Sequence, residues 1–258
     1  LVAPVGAIII PYVAMTVYMY VAEEAERRRI RAAWQKRVSS EVLDVILDSG
    51  DDAYVRGRNT EATVLFSDIR GFTTMCDALP PQQVVSILNE YFEQMTQVIM
   101  TEYGTIHKFI GDGIMAVFGD PVPDENHADR AVAAALGMHQ ALDVLRSTSQ
   151  TKAFQNMEMG VGIHSGELVA GDIGSEDFME YTTIGRTVSI AARLEGENKE
   201  FGTGIIISED TRRRLNGQYE LVDLGSQEIR GVADPIPLYA ISIDGNASQR
   251  DSGRDEER

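Results

Sequence analysis

The stretch HKFIGDGIMAVFG, residues 107–119, places one carboxylate between two glycines inside an otherwise apolar run. It predicts two short strands, in GTIHKFI and GIMAVFG, because a glycine-containing turn can connect two such runs into a hairpin. Asp112 then stands at the tip of that hairpin. At such a point an aspartate is either a turn residue or a ligand.

A second aspartate ends the β-branched apolar run TVLFSDI, residues 63–69, which predicts another strand. The following residues, RGFTTM, predict the start of a helix whose free N–H groups suit phosphate oxygens. Two strand ends can bring Asp68 and Asp112 together, and paired carboxylates repel one another unless a cation lies between them. Each aspartate alone favours a turn or cap, but the pair beside a helix start indicates a metal and a nucleotide.

The rest of the chain alternates helical and strand patterns. Helices are predicted over 81–102 and 126–147, and a strand running into a helix over 179–196. Residues 157–174 predict a strand, a turn and a second strand, and further strands are expected at 204–208, 219–225 and 235–243. The helix over 81–102 is expected to bury one face, made of Val84, Val85, Leu88, Tyr91, Phe92, Met95 and Ile99. This order predicts an α+β fold, with a mixed, mostly antiparallel sheet and helices covering one face.

Composition narrows the possible partners. The chain has 40 acidic and 23 basic residues and a net charge of −17, so the average surface would repel nucleic acid. A nucleotide is not excluded, because a metal ion can neutralise a triphosphate locally. The single cysteine, Cys76, rules out an intrachain disulfide and fits a reducing compartment without proving one.

Residues 1–22 contain no charged side chain and are long enough to cross a hydrocarbon core of about 30 Å. An arginine cluster at 27–31 follows and marks a cytoplasmic side. We therefore expect a transmembrane helix over 1–22, a helical, coiled-coil-like signalling connector over 23–50, a globular domain over 51–243 and a disordered tail over 244–258. The alternatives for the first segment are a signal peptide or a buried core helix, and for the connector a simple spacer.

Three motifs, LFSDIRGFT, HKFIGDGIMAVFG and YTTIGRTVSIAARLE, together resemble the catalytic domain of class III nucleotidyl cyclases, the adenylyl and guanylyl cyclases. The resemblance covers about residues 58–243. It implies a ferredoxin-like cyclase domain, and the N-terminal segments resemble those of bacterial membrane-anchored, receptor-type adenylyl cyclases. The catalytic domain would then lie in the cytoplasm, at the cell membrane.

The resemblance implies one set of residues for metal and phosphate. Asp68 and Asp112 match the ligands of two divalent ions, Mg²⁺ or Mn²⁺, and the backbone carbonyl of Ile69 matches a further ligand. Positions matching the phosphate-binding turn and a cationic contact to the terminal phosphates are Gly71, Phe72, Thr73 and Arg230.

A second set is implied for the base and the transition state. Lys108 and Thr182 match the base-selecting pair of adenylyl cyclases, so ATP is expected over GTP. Arg193 matches the arginine that stabilises charge on the phosphoryl oxygens. Ser189 departs from the asparagine that the family carries there, and a serine offers a shorter side chain and one hydroxyl in place of an amide.

The family places each site between two catalytic domains, so the resemblance implies a symmetric homodimer with shared sites. The expected reaction is attack of the ribose 3′-hydroxyl on the α-phosphate of ATP, giving cyclic AMP and pyrophosphate under the control of an upstream sensor. Two alternatives remain: a nucleotide-binding regulatory module with little turnover, which Ser189 favours, and a guanylyl cyclase, which Lys108 disfavours.

Overall fold

The computed structural model describes residues 12–22, 24–25, 28, 31, 43, 47, 57–175 and 178–243. The chain divides into two compact units, Leu1–Asp51 and Asp52–Arg258. In the first unit, residues 12–22 are helical. Across the part of the chain that is described, no helix combines the length and the apolar character needed to cross a membrane. Residues 1–11 of the predicted transmembrane helix, most of the connector over 23–50 and the tail over 244–258 lie outside the described residues.

The second unit alternates strands and helices. In chain order its elements are β1 (Arg58–Ile69), α1 (Phe72–Ala78), α2 (Pro81–Thr101), β2 (Thr105–Ile110), β3 (Gly113–Phe118), α3 (His127–Thr148), a 3₁₀ helix (Lys152–Asn156), β4 (Met159–Ser175), β5 (Phe178–Ile184), α4 (Arg186–Phe201), β6 (Ile205–Ser208), α5 (Glu209–Arg212), β7 (Leu221–Gln227) and β8 (Ile236–Ile241). The strand–helix order predicted around both aspartates is confirmed.

The eight strands form one mixed sheet in the order β2-β3-β1-β4-β6-β8-β7, with β5 paired to β4. All neighbouring pairs are antiparallel except β4 and β6, which run parallel. The α+β fold with a mostly antiparallel sheet is therefore confirmed.

The larger core lies between the sheet and helices α2 and α3. Apolar side chains of α2 repeat every three or four residues and are buried there. They are Val84, Ile87, Tyr91, Met95 and Ile99. Val85 was predicted on this face but is 56% exposed, so the buried face of α2 is narrower than predicted. Burying one such side chain contributes about 1.5–3 kcal/mol.

Helix α4 covers the opposite face of the sheet, so the prediction that helices cover a single face is wrong. Ile190 and Leu194 of α4 pack there against Ile206 and Leu238. The close approach depends on Gly162 of β4, where an added Cβ would lie 2.1 Å from the backbone nitrogen of Glu195. Glycine is thus used at this position for contact between helix and strand.

Strand β4 runs unbroken over 17 residues, so the strand–turn–strand prediction for residues 157–174 is also wrong. It pairs with β1 continuously from Met159 to Ala170 and with β5 from Val169 to Ser175. The glycines of this segment resemble turn signals in the sequence. In the fold, Gly160 and Gly162 instead leave room for α4.

Candidate active site

The β2–β3 hairpin places Asp112 beside the end of β1. Gly111, with φ of 62°, takes the first central position of the two-residue turn, and Asp112 takes the second. The backbone N–H of Ile69 donates a hydrogen bond to Oδ2 of Asp112 at 3.2 Å. A Cβ at Gly113 would lie 2.7 Å from the carbonyl oxygen of Ser67 and 3.4 Å from Oδ1 of Asp68. Glycine at 113 therefore lets the hairpin approach Asp68.

The carboxylate of Asp112 perturbs that of Asp68. Burial, followed by the charge of Asp112 and a hydrogen bond with it, raises the pKa of Asp68 to about 6. Burial and the charge of Asp68 likewise raise the pKa of Glu195 to about 7. A partly buried group of like charges is costly unless a cation neutralises it.

Glu195 was not predicted as part of this site, although it lies within the quoted motif YTTIGRTVSIAARLE. It is carried by α4, and its carboxylate occupies the space above Gly160, where an added Cβ would lie 2.7 Å from Oε1. Gly160 is the partner of Asp68 across the β1–β4 ladder. Glu195 therefore adds negative charge next to the aspartate pair.

The donor set fits a hard divalent cation. Carboxylate and carbonyl oxygens are the ligands that Mg²⁺ takes in proteins, usually one or two carboxylates with substrate phosphates. Among the described residues, no group of three or more histidine, cysteine, aspartate or glutamate side chains is placed to hold a metal. The oxygens of Asp68 and Asp112 are of the kind that such a cation takes.

The predicted phosphate turn follows Asp68 directly. Gly71 has a left-handed φ of 71° and precedes α1, where no side chain caps the helix start. A non-glycine residue would be strained in that conformation. Phe72 is half-buried and Thr73 is exposed. The turn therefore presents backbone groups within a few residues of the carboxylate pair.

The two predicted base-selecting residues lie on β2 and β5. Nζ of Lys108 is 2.9 Å from Oε2 of Glu180, and both side chains are about one-third exposed. Thr182 is buried and two residues after Glu180 on β5, so the two side chains share one face of the strand. The sequence reading missed Glu180. The only sequence signal for Glu180 was its position two residues before Thr182, which places both on the same face of a strand.

The remaining predicted residues belong to α4 and to the β7–β8 connection. Ser189 is exposed, and its hydroxyl donates a hydrogen bond back to the carbonyl oxygen of Gly185 at 3.4 Å. The guanidinium of Arg193 packs against Gly231, where an added Cβ would lie 3.2 Å from Nη2. Arg230 is the adjacent, exposed residue. Two cationic side chains are therefore carried by neighbouring segments.

Arg193 points away from the aspartates of its own chain. Residues two apart on an α-helix point about 200° apart, and Glu195 already faces Asp68. The structure thus places the predicted residues in three groups: the aspartates with the phosphate turn, Lys108 with Thr182, and Arg193 with Ser189 one helical turn away and the segment of Arg230 beside it.

Comparison with known proteins gives one family. The family model "Adenylate and Guanylate cyclase catalytic domain" matches residues 55–242. Adenylate cyclase 1 of Rhizobium meliloti is 31% identical over 204 residues, covering 79% of this chain and 31% of the relative. The chain thus spans about a third of the length of this curated relative.

Solved structures show the same fold. The adenylyl cyclase CyaB from P. aeruginosa gives a TM-score of 0.66 at 31% identity, with 73% of this chain and 96% of that chain covered. The guanylyl cyclase Cya2 gives a TM-score of 0.67 at 35% identity, with 75% and 97% covered. Similar structures therefore include proteins named for either purine nucleotide.

Proposed function

The chain belongs to the family of adenylate and guanylate cyclase catalytic domains, and on that premise we propose that it converts ATP to cyclic AMP and pyrophosphate. The observation that carries the proposal is the pairing of Asp68 with Asp112 at adjoining strand ends, held by the bond from Ile69 to Asp112. A cation and a triphosphate would relieve the repulsion between the two side chains.

Asp68 and Asp112, together with the backbone carbonyl of Ile69, would hold two divalent ions, Mg²⁺ or Mn²⁺. Such ions, when bound, supply charge neutralisation for the triphosphate and lower the pKa of the ribose 3′-hydroxyl. The turn of Gly71, Phe72 and Thr73 orients the phosphates through its backbone N–H groups. The 3′ oxygen is then positioned to attack the α-phosphorus as pyrophosphate leaves.

ATP is the proposed substrate because of Lys108 and Thr182. An ammonium donor suits the acceptor nitrogen N1 of adenine, and a threonine hydroxyl can accept a hydrogen bond from the exocyclic amine. The ion pair with Glu180 limits the rotation of the Lys108 side chain.

Arg193 and Arg230 are proposed to contact the phosphoryl oxygens, where a fixed guanidinium stabilises the negative charge of the transition state. Since Arg193 faces away from the aspartates of its own chain, we assign it to the site of a partner copy. A symmetric homodimer with two shared sites follows, and an isolated chain would be inactive.

The N-terminal segments extend the proposal. Residues 1–22 carry no charge and are followed by arginines, which supports an anchor in the cell membrane with the catalytic domain in the cytoplasm. Residues 23–50 would then connect the catalytic domain to an upstream sensor.

The test is turnover of ATP and GTP by the purified chain with Mn²⁺. We expect cyclic AMP from ATP, less product from GTP, and loss of turnover by about 10² or more in Asp112→Ala with an unchanged circular dichroism spectrum. Asp77→Ala, an exposed aspartate on α1, is the matched control and should keep full activity. Nucleotide binding without product would support the regulatory-module alternative, and faster turnover of GTP would support a guanylyl cyclase.

A further inference from the structure

A buried polar cluster lies behind the base-selecting residues. It consists of Arg58, His107, Asp120 and Tyr181 and is called the Asp120 cluster below. Oδ1 of Asp120 accepts a hydrogen bond from Nη2 of Arg58 at 2.9 Å, and Oδ2 accepts one from the hydroxyl of Tyr181 at 2.7 Å. Nε2 of His107 lies 4.0 Å from the same Oδ2. Asp120 and His107 have side chains with no exposed surface.

His107 occupies an irregular position in β2. Ile106 pairs with Ala116 and Lys108 pairs with Met115, so His107 is the extra residue of a β-bulge between two consecutive partners on β3. A bulge changes the direction of the side chains next to it, and it is kept where the surroundings fix it. The imidazole of His107 is buried beside Asp120, so a shift of either group would shift the bulge as well. The direction of Lys108 therefore depends on how His107 is held.

Tyr181 on β5 lies between Asp120 and Thr182 in the way that His107 lies between Asp120 and Lys108. It directly precedes Thr182, and its ring lies 5.7 Å from that of His107, between centroids. Its hydroxyl is bound to the carboxylate that His107 approaches. One buried side chain, Asp120, thus contacts the chain neighbours of both Lys108 and Thr182.

We propose that the Asp120 cluster is a positioning element that sets the direction of Lys108 relative to Thr182 and so determines how sharply adenine is distinguished from guanine. The proposal rests on the proposed cyclase function and deepens it. None of the four side chains is assigned a contact with the nucleotide. Burying a carboxylate is costly, and the cluster satisfies this one with Arg58 and Tyr181.

Selectivity is the property most sensitive to this arrangement. Adenine and guanine differ in where their edges donate and accept, and hydrogen bonds weaken steeply when donor and acceptor are misaligned. Loosening Tyr181 or His107 would shift one base-reading group relative to the other. Asp112 lies farther along the same hairpin but is held separately, by its bond to Ile69 at the end of β1, so the aspartate pair would keep its geometry.

The test compares Tyr181→Phe and Asp120→Asn with wild type. The ratio of kcat/KM for ATP to that for GTP is measured on one preparation of each variant, because the ratio does not depend on the folded fraction. We expect the ratio to fall about five-fold in Tyr181→Phe, equivalent to about 1 kcal/mol, and further in Asp120→Asn. Tyr219→Phe removes a tyrosine hydroxyl bound to the carbonyl of Asp129, away from the base, and should leave the ratio unchanged.

A second measurement separates this inference from the proposed function. Affinities for 3′-deoxy-ATP and 3′-deoxy-GTP, which lack the attacking hydroxyl, are measured by calorimetry with Mn²⁺. If wild type makes no cyclic AMP, the proposed function fails, and the ratio of these two affinities still decides the inference. An unchanged ratio in Tyr181→Phe overturns the inference, whether or not Asp120→Asn folds.

Discussion

The carboxylate of Asp112 accepts a hydrogen bond from the backbone N–H of Ile69 at 3.2 Å, so the tip of the β2–β3 hairpin is bonded to the end of β1. This bond fixes Asp112 next to Asp68 before any ligand arrives. The cost is electrostatic, because two acidic groups are held together and Asp68 resists ionisation. Function and stability therefore oppose one another at this point.

Asp68→Asn should stabilise the metal-free protein while abolishing turnover. The pKa of Asp68 is raised from 3.8 to about 6, so its contribution to stability is lost as pH rises through that interval. An asparagine amide does not ionise and so avoids this loss. The free energy of unfolding of Asp68→Asn relative to wild type should therefore rise from about pH 4 to pH 6 and then level off, at about 1 kcal/mol after allowance for solvent screening. Urea unfolding in EDTA measures it.

Asp77→Asn is the control for Asp68→Asn, because Asp77 is exposed. It should show no pH-dependent gain. A gain of equal size in both variants, or none in Asp68→Asn above about pH 6, would contradict the repulsion between Asp68 and Asp112.

Mixing two inactive chains should restore activity if sites are shared. A dimer of one Asp68→Ala chain and one Arg193→Ala chain carries one site with both defects and one intact site. Random pairing of equal amounts then gives about a quarter of wild-type turnover. Cyclic AMP production by co-refolded chains is the measurement.

The control mixture is Asp68→Ala with Asp112→Ala. These two residues belong to the same half of the site, so no combination of the two chains restores it, and turnover should stay at background. Equal recovery in both mixtures, or recovery in neither, would count against the assignment of Arg193 to a partner's site.

Ser189→Asn should raise turnover. The hydroxyl of Ser189 is directed back to the carbonyl of Gly185, whereas an amide is longer and offers a donor and an acceptor beyond the helix surface. We expect kcat at saturating ATP to increase about ten-fold, less than the full effect of a positioned donor. Ser226→Asn, at an exposed serine of β7, is the control. Equal kcat values for wild type and Ser189→Asn would contradict the prediction, because serine would then support turnover as effectively as asparagine.

His139→Gln should reduce the acid sensitivity of the fold. Burial, the main cause, lowers the pKa of His139 from 6.5 to about 4. A depressed histidine pKa means that stability is present above pH 6.5 and is lost as pH falls toward 4. This loss in the free energy of unfolding is on the order of 2 kcal/mol, and glutamine does not undergo it because its side chain does not titrate. In urea unfolding, the stability of the variant should therefore fall less steeply than that of wild type as the pH is lowered. Lys199→Gln, at an exposed lysine of α4, should decline like wild type.

Local signals in the sequence predicted the parts of the site that are close along the chain. The glycines around Asp112 predicted the hairpin, and the apolar run before Asp68 predicted β1, because turn chemistry and strand alternation act over a few residues. The repeat of apolar residues in α2 predicted its buried face, apart from Val85.

Contacts that depend on distant strands were not predicted. Tyr181 and Arg58 reach Asp120 from 61 and 62 residues away, and nothing in their local sequence indicates a common partner. The ion pair of Lys108 with Glu180 spans 72 residues in the same way. The glycines of β4 were wrongly predicted to form a turn. A sequence does not show whether a glycine is needed for a turn conformation or for close packing of a helix against the strand.

Gly162 has a consequence for how this chain can evolve. Replacing glycine by alanine is ordinarily among the mildest changes in a strand, yet here the added methyl group would meet the backbone of α4 at 2.1 Å. The helix would have to move outward and carry Ser189, Arg193 and Glu195 with it. The distance between the backbones of β4 and α4 therefore limits which substitutions this face tolerates. Gly162, which has no side chain, is one of the positions that are hardest to replace.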